Sequence, residues 1–259
     1  MVGGVAALSG AYFLGPRLGR FHQKLDGTWE TKDIPGHNTV LAATGVFILF
    51  FGFFPFNGAS GYNIAAADVG AGRPTGADTT GRVVVVTLLA GAAGGLTMLG
   101  AGKLHLKHWD LPFAMNGVLA GMVSVCAGAN YFDPWAAVVV GVSAQGIFFG
   151  LSRLLERFRI DDPLEAAPLH FGAGMWGLIM VGFFANPEYM RDHCGWADCD
   201  AAAACAYKLG GDRFGCLQKC AQDTTQGHCA RGGVFFGGDG TTLGPPSTFC
   251  GNTVVVAVG

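Results

Sequence analysis

Ile160-Asp161-Asp162-Pro163-Leu164-Glu165-Ala166-Ala167-Pro168-Leu169-His170-Phe171-Gly172 is the stretch from which the fold of this chain is read. It predicts the start of a helix. Asp162 is a good N-cap, Pro163 suits the first helical position, and Glu165 stands three residues after the cap, as in a capping box. The acidic residues also favour the positive end of the helix dipole. No charge follows from residue 172 to residue 185, so the helix reads as a membrane span. At about 1.5 Å per residue, His170 lies roughly 12 Å past the cap. That is close to the midplane of a hydrocarbon core roughly 30 Å thick. An ionisable ring at that depth is costly and faces a bundle interior or a pathway. Two readings stand: a histidine held by an interhelical hydrogen bond, or a pore-lining proton acceptor. Ala166, His170, Gly174 and Gly177 share one face, and small residues there admit a close helix or leave room for a lumen.

The rest of the chain supports a membrane setting. Of 259 residues, 51% are apolar and 13% are charged, about half the usual charged fraction. The 43 glycines suit close packing of membrane helices. A net charge of −2 gives no reason to expect a nucleic-acid partner. The apolar runs predict a single polytopic bundle. Residues 1–15 are short for a span. Residues 38–56 form a strong one, closed by Pro55, Asn57 and Gly58 as a helix stop. Residues 83–102 are the third, residues 111–129 the fourth, interrupted by Asn116, and residues 133–151 the fifth. The opening helix is the sixth. Residues 253–259 read as the start of a span left unfinished. The N-terminus has no positive n-region and begins directly in apolar sequence, as if something precedes it.

Lys and Arg set the orientation. Arg17, Arg20, Lys24 and Lys32 follow the first span, Lys103 and Lys107 the third, and Arg153, Arg157 and Arg159 the fifth. The second span is followed by Arg73 and Arg82 and the fourth by none. Positive loops stay cytoplasmic, so the N-terminus and the region after the sixth span are expected outside. Cysteine agrees: Cys194, Cys199, Cys205, Cys216, Cys220, Cys229 and Cys250 cluster in that outer region, where disulfides are favoured. Their pairing cannot be read, and an odd count leaves one over. Zinc is the rival, since Cys216 and Cys220 have a ligand-like spacing and His193 and His228 are near. Cys126, the eighth, lies in a span. His22, His105 and His108 sit in basic loops and are expected to be solvated, and His37 to cap a helix. Phe47, Phe50, Phe51, Phe53, Phe54 and Phe56 form a stripe expected to be mostly lipid-facing or packing surface. No Ser/His/Asp, Walker or zinc-protease motif is present, so neither enzyme nor cofactor is expected.

Residues 14–21 (LGPRLGRF), 52–60 (GFFPFNGAS) and 161–172 (DDPLEAAPLHFG), with Asp133-Pro134-Trp135-Ala136-Ala137, together resemble the ammonium transporter (Amt/Mep/Rh) family, closest to its plant and algal type. The similarity runs in order over residues 1 to about 190. It implies a homotrimer of eleven-helix protomers, each with its own pore, of which this chain holds helices five to ten and the edge of eleven. The fold class expected is thus all-α: an incomplete polytopic membrane helix bundle over residues 1–190, a cysteine-rich extracellular loop over 191–252 and the start of a final span over 253–259. By the resemblance His170 is the second of twin pore histidines, Phe56 the gating phenylalanine and Ser60 the serine of an outer recruitment site. Phe53 falls where the family has a pore-lining tryptophan. The first histidine would fall just before Met1 and the first four helices are missing. Pro55, the Asn57-Gly58-Ala59-Ser60 order, Pro168 and the cysteine-rich insertion depart from the pattern. The chain therefore reads as a fragment, with Met1 an internal methionine. The function implied is ammonium or ammonia transport across a bilayer, expected to be the plasma membrane. The alternative is a non-conducting truncated subunit or regulatory fragment that assembles with full-length protomers.

Overall fold

Asn38 begins the first strongly apolar helix by accepting a hydrogen bond from the Leu41 backbone N–H at 2.9 Å. Asp110 does the same for Phe113 at 2.7 Å, and Pro134 opens a third helix at a position where its missing N–H costs nothing. The computed structural model describes residues 1–60, 76–186 and 189. Among these, the chain order is α1 (Val2–Leu14), β1 (Phe21–Gln23), β2 (Trp29–Thr31), α2 (Thr39–Ala59), α3 (Gly76–Leu106), α4 (Leu111–Val125), α5 (Pro134–Arg157), a π-helical turn (Ala167–Gly172) and α6 (Ala173–Phe184). The cysteine-rich stretch at 191–252, with its seven disulfide candidates, and residues 253–259 lie outside the described residues. The fold is an all-α membrane bundle. Segments Thr39–Ala59, Ala77–His105, Pro134–Arg157 and Ala167–Phe184 are long and apolar enough to cross a bilayer, while Val2–Leu14 and Leu111–Val125 are shorter.

The bundle is built on α3, α4 and α5, which cross where side chains are smallest. The Ala90 carbonyl oxygen stands where a Cβ on either Gly121 or Gly141 would be, so both neighbouring helices rest on α3 backbone. Gly177 of α6 abuts the Ser124 carbonyl of α4 in the same way. Such contact maximises dispersion and short Cα–H···O approaches, the main adhesive between helices where lipid removes the hydrophobic drive. Around these crossings Val86, Phe132 and Val140 fill one buried cluster and Met98, Phe148 and Leu169 another. Trp176 touches both clusters, and its indole N–H donates to Ser143 Oγ at 2.9 Å.

Several boundaries differ from those predicted. α2 runs through Pro55 and Asn57 to Ala59, because buried Asn57 donates its side-chain amide to Thr87 Oγ1 at 3.0 Å. α3 begins at Gly76 and carries Asp78 and Arg82 on its first turns. α4 stops at Val125, and turns carry the chain on to Tyr131. Asn38, not His37, caps α2. The basic loop holds an antiparallel hairpin, with Phe21 opposite Thr31 and Gln23 opposite Trp29. Gly27, at φ 83°, makes its turn. Asp26-Gly27 between two aromatic-bearing segments was a legible hairpin signal.

One ionic latch ties the hairpin end to the loop before α6. Arg17 donates to Asp161 from its backbone N–H at 3.0 Å, from Nε at 2.7 Å and from Nη2 at 3.0 Å. Arg20 reaches Asp33 at 2.7 Å and Glu156 at 3.2 Å, and Arg159 lies 4.4 Å over the Trp29 ring. The basic loops after α1 and α5 therefore sit at one end of the bundle, as the charge pattern requires. Asp161 is only 5% exposed, and the hydrogen bonds from Arg17 hold its carboxyl below the ordinary carboxylate range. Arg17→Ala leaves that buried charge with the backbone N–H of residue 17 and with Arg20, 3.5 Å away. It is expected to cost about 2–3 kcal/mol, below the full cost of breaking a buried pair because Arg17 itself is partly solvated. The folded value is the lower one, so this stability is present above the unfolded value of about 3.9 and is lost as pH falls through the folded value. Thermal unfolding of the two proteins should differ by a constant amount above about pH 5 and converge below about pH 4.

Candidate functional site

Pro168 cannot donate a backbone hydrogen bond, and the helix around it is widened into a π turn over Ala167–Gly172. His170 lies on this turn. The structure corrects the predicted start of the helix. Pro163 and Leu164 form a turn, Glu165 adopts φ 52°, and the helix begins at Ala166. The capping box does not form. Asp162 instead accepts from the Ala167 backbone N–H at 2.6 Å. The Glu165 carboxylate leaves the helix end and accepts from Asn116 of α4 at 2.7 Å. His170 is therefore about 6 Å along the helix from its first residue rather than 12.

The imidazole of His170 is exposed, while Pro168, Leu169 and Gly172 around it are buried. The interhelical hydrogen bond expected of a packed histidine is not present among the described residues. α1 closes one flank. Gly4 of α1 lies against the Phe171 backbone so closely that a Cβ there would overlap its nitrogen. The Met1 nitrogen lies 3.1 Å from the Cβ position of Gly174, one turn beyond His170. Gly174 and Gly177 thus admit α1 and α4 respectively, so the small residues of this face serve close helix approach.

The phenylalanines divide. Phe47 and Phe51 are 77% and 72% exposed, in keeping with a lipid-facing stripe. Phe53 is half-buried and packs against the cluster that contains Leu169 and Ala173, the buried neighbours of His170 in sequence. Phe56 is 58% exposed and meets Phe53 edge-on with ring centroids 5.8 Å apart. Ser60 follows at the end of α2, exposed, and its hydroxyl donates back to the Phe56 carbonyl. Its oxygen lone pairs are thereby left as acceptors. The structure joins Ser60, Phe56 and Phe53 along α2 and sets Phe53 against the buried cluster that the His170 helix shares with α3, α4 and α5; Phe56 and Ser60 do not touch that helix through any described contact. Among the described residues no group of three or more His, Cys, Asp or Glu could hold a metal. Sequence reasoning missed Trp176, which knits both clusters, and Glu165–Asn116. The lone asparagine inside an apolar span was the signal for the latter.

The model of the Ammonium Transporter Family matches residues 1–213. The chain belongs to the ammonium transporter family. It is 39% identical over 193 residues to ammonium transporter 1 member 1 of Oryza sativa subsp. japonica, covering 74% of this chain and 38% of that protein. It is 40% identical over 190 residues to ammonium transporter 1 member 3 of Solanum lycopersicum, covering 73% and 40%. Each of these relatives is named as a transporter, not as an enzyme. Among solved structures, a sensor Amt protein superposes with a TM-score of 0.61 at 26% identity, covering 86% of this chain and 52% of that one. Mep2 of Saccharomyces cerevisiae superposes with a TM-score of 0.53 at 26% identity, covering 61% and 34%. The chain spans about two-fifths of the length of the curated relatives it matches. This family member is a multi-pass membrane protein, with four helices able to cross a bilayer among the described residues.

Proposed function

We propose that this chain supplies half of the wall of an ammonium-selective pore, assembled in the plasma membrane as part of a trimer. The problem such a pore solves is the likeness of ammonium and potassium, which share one charge and a similar size. Only ammonium can lose a proton. Ser60, its own proton engaged, offers an oxygen to the arriving cation, and the exposed Phe56 face adds cation–π attraction. Past the rings the path is apolar and opposes any bare ion. Ammonia crosses uncharged, and potassium has no such form. His170 accepts or relays the proton that ammonium sheds, since a free imidazole titrates near 6.5. The observation that carries this reading is the exposed His170 ring on a helix turn where Ala167, Pro168 and Leu169 are buried. Phe56 gates entry, and Phe53 stands between the gate and the histidine's helix.

The test is growth of an ammonium-uptake-deficient yeast on low ammonium. One strain carries this chain alone. Another carries a chimera in which residues 1–190 replace the matching segment of a full-length relative. Rescue by the chimera is expected. No rescue by the chimera, when it reaches the plasma membrane, overturns the pore reading. Rescue by the chimera alone assigns the isolated chain the non-conducting role beside full-length protomers.

A further inference from the structure

Among the described residues, Lys107, Arg159 and Glu165 are the residues other than glycine with positive φ. Lys107 and Arg159 follow the ends of α3 and α5, where a left-handed residue is an ordinary helix stop. Glu165, at φ 52°, instead precedes a helix. A side chain is rarely held in this region unless its surroundings fix it there, and such residues gather at functional sites.

What fixes Glu165 is on α4. Asn116 Nδ2 donates to Glu165 Oε2 at 2.7 Å, across 49 positions of sequence. Asn116 is itself seated firmly. The next residue, Gly117, is pressed against α3, with the Gly94 carbonyl oxygen 2.7 Å from where its Cβ would stand. The Gly117 carbonyl also accepts from the Gln145 amide of α5 at 3.2 Å. The anchor is therefore built on the crossing of α3, α4 and α5, and a rigid support is what precise placement of a side chain requires.

The turn that this anchor controls carries His170. With Glu165 drawn to α4, Asp162 Oδ2 accepts from the Ala167 N–H at 2.6 Å and the Glu165 carbonyl accepts from the Leu169 N–H at 3.0 Å. The Pro168 carbonyl accepts from the Ala173 N–H, five residues on, and the chain between them widens into the π turn. The sequence holds a second arrangement. A free Glu165 side chain would complete the capping box opened by Asp162, and the helix would start at Pro163, three residues before Ala166. A π turn holds one residue more than an α turn, so exchanging one for the other rotates the preceding residues by up to about 100° relative to α6.

We propose that Asn116 is a positioning residue for His170: by holding the Glu165 carboxylate it keeps the helix from starting at Pro163, preserves the π turn and aims the imidazole out of the buried cluster. This rests on the reading of His170 as the proton acceptor of the pore. Asn116 acts through Glu165 and touches neither ammonium nor the imidazole.

The experiment uses the chimera that carries residues 1–190, with ammonium uptake measured against concentration and transporter at the cell surface counted. Asn116→Leu, similar in length and shape, removes the donor, and Glu165→Leu removes the acceptor. Each is expected to lower the maximal rate per transporter by roughly tenfold to a hundredfold, the effect of a misplacement of about 1 Å. The half-saturating concentration should stay unchanged, because the cation is gathered at Ser60 and Phe56 on α2. Glu165→Gln keeps an oxygen for Asn116 and loses only the charge, so it should recover most of the rate lost in Glu165→Leu. A contact that merely steadied the fold would lower surface protein and leave the rate per transporter alone.

Undiminished uptake per transporter in Asn116→Leu overturns the proposal. So does Glu165→Gln as slow as Glu165→Leu, which would mean that the carboxylate itself handles the proton. Failure of both leucine variants to reach the membrane would make the contact a folding element and overturn it as well. The His170→Ala chimera, run in parallel, separates this idea from the one beneath it. Normal transport by that chimera removes both. Its inactivity beside an unaffected Asn116→Leu removes the positioning role alone.

Discussion

His170→Ala in the chimera is expected to lower ammonium uptake by about 10²-fold or more, the usual contribution of a positioned proton acceptor. The chain should still fold. His170 is exposed, and the residues that anchor its turn, Pro168, Leu169 and Gly172, remain buried. The imidazole makes no hydrogen bond to a described residue, so its loss strands no partner. Surface expression equal to the parent with uptake near background is the expected pair of results. Undiminished, potassium-blind uptake would remove His170 from the pathway. A variant that fails to reach the membrane would instead make the histidine a structural residue, against the geometry of the turn.

Gly121→Val should be among the most destabilising single changes in the bundle. A Cβ at Gly121 overlaps the Ala90 carbonyl oxygen, and Gly91 Cα lies 3.3 Å away. Both neighbours are backbone and cannot rotate aside. Gly141 of α5 rests on the same carbonyl, so pushing α4 from α3 also disturbs α5. Overpacking a rigid interior costs about 1–3 kcal/mol and occasionally more. Contact with backbone on two sides places this variant at or above the upper end. The same substitution at Gly45, which has nothing within 4 Å, is expected to shift stability by less than about 0.5 kcal/mol. Thermal unfolding of the purified proteins, with size exclusion as a check for aggregation, compares the two. Equal losses would mean that α3, α4 and α5 do not close on one another as described.

Much of the architecture was legible because it depends on local features. The apolar runs gave the helices, and Asp133-Pro134 marked the start of α5 within a residue. The Lys and Arg bias grouped loops that the Arg17–Asp161 latch joins in space. The failures were decided by distant partners. Two prolines could open the sixth helix, and Asp162-Pro163 had the better local signature. Asn116, 49 positions away, draws off the Glu165 carboxylate, which leaves the later Pro168 in the first turn. Asn57 looked like a helix stop and is instead buried against Thr87, which lets α2 continue to Ser60. His105 is exposed, as its charged neighbours suggested, but it stands on the last turn of α3 rather than in a loop, with its ring edge-on to Phe149 at 5.9 Å. At the candidate site, the identity of His170, Phe53, Phe56 and Ser60 could be read from motif resemblance. Their relative placement could not, because it depends on how α2 packs across α4.

The central claim is that nitrogen crosses as the uncharged amine. It is tested most directly by isotope-labelled ammonium uptake into proteoliposomes holding the chimera, with a large excess of potassium outside. The account predicts an uptake rate unchanged by potassium and no potassium flux above that of empty liposomes. Potassium entry alongside ammonium, or inhibition that grows with potassium concentration, would contradict it.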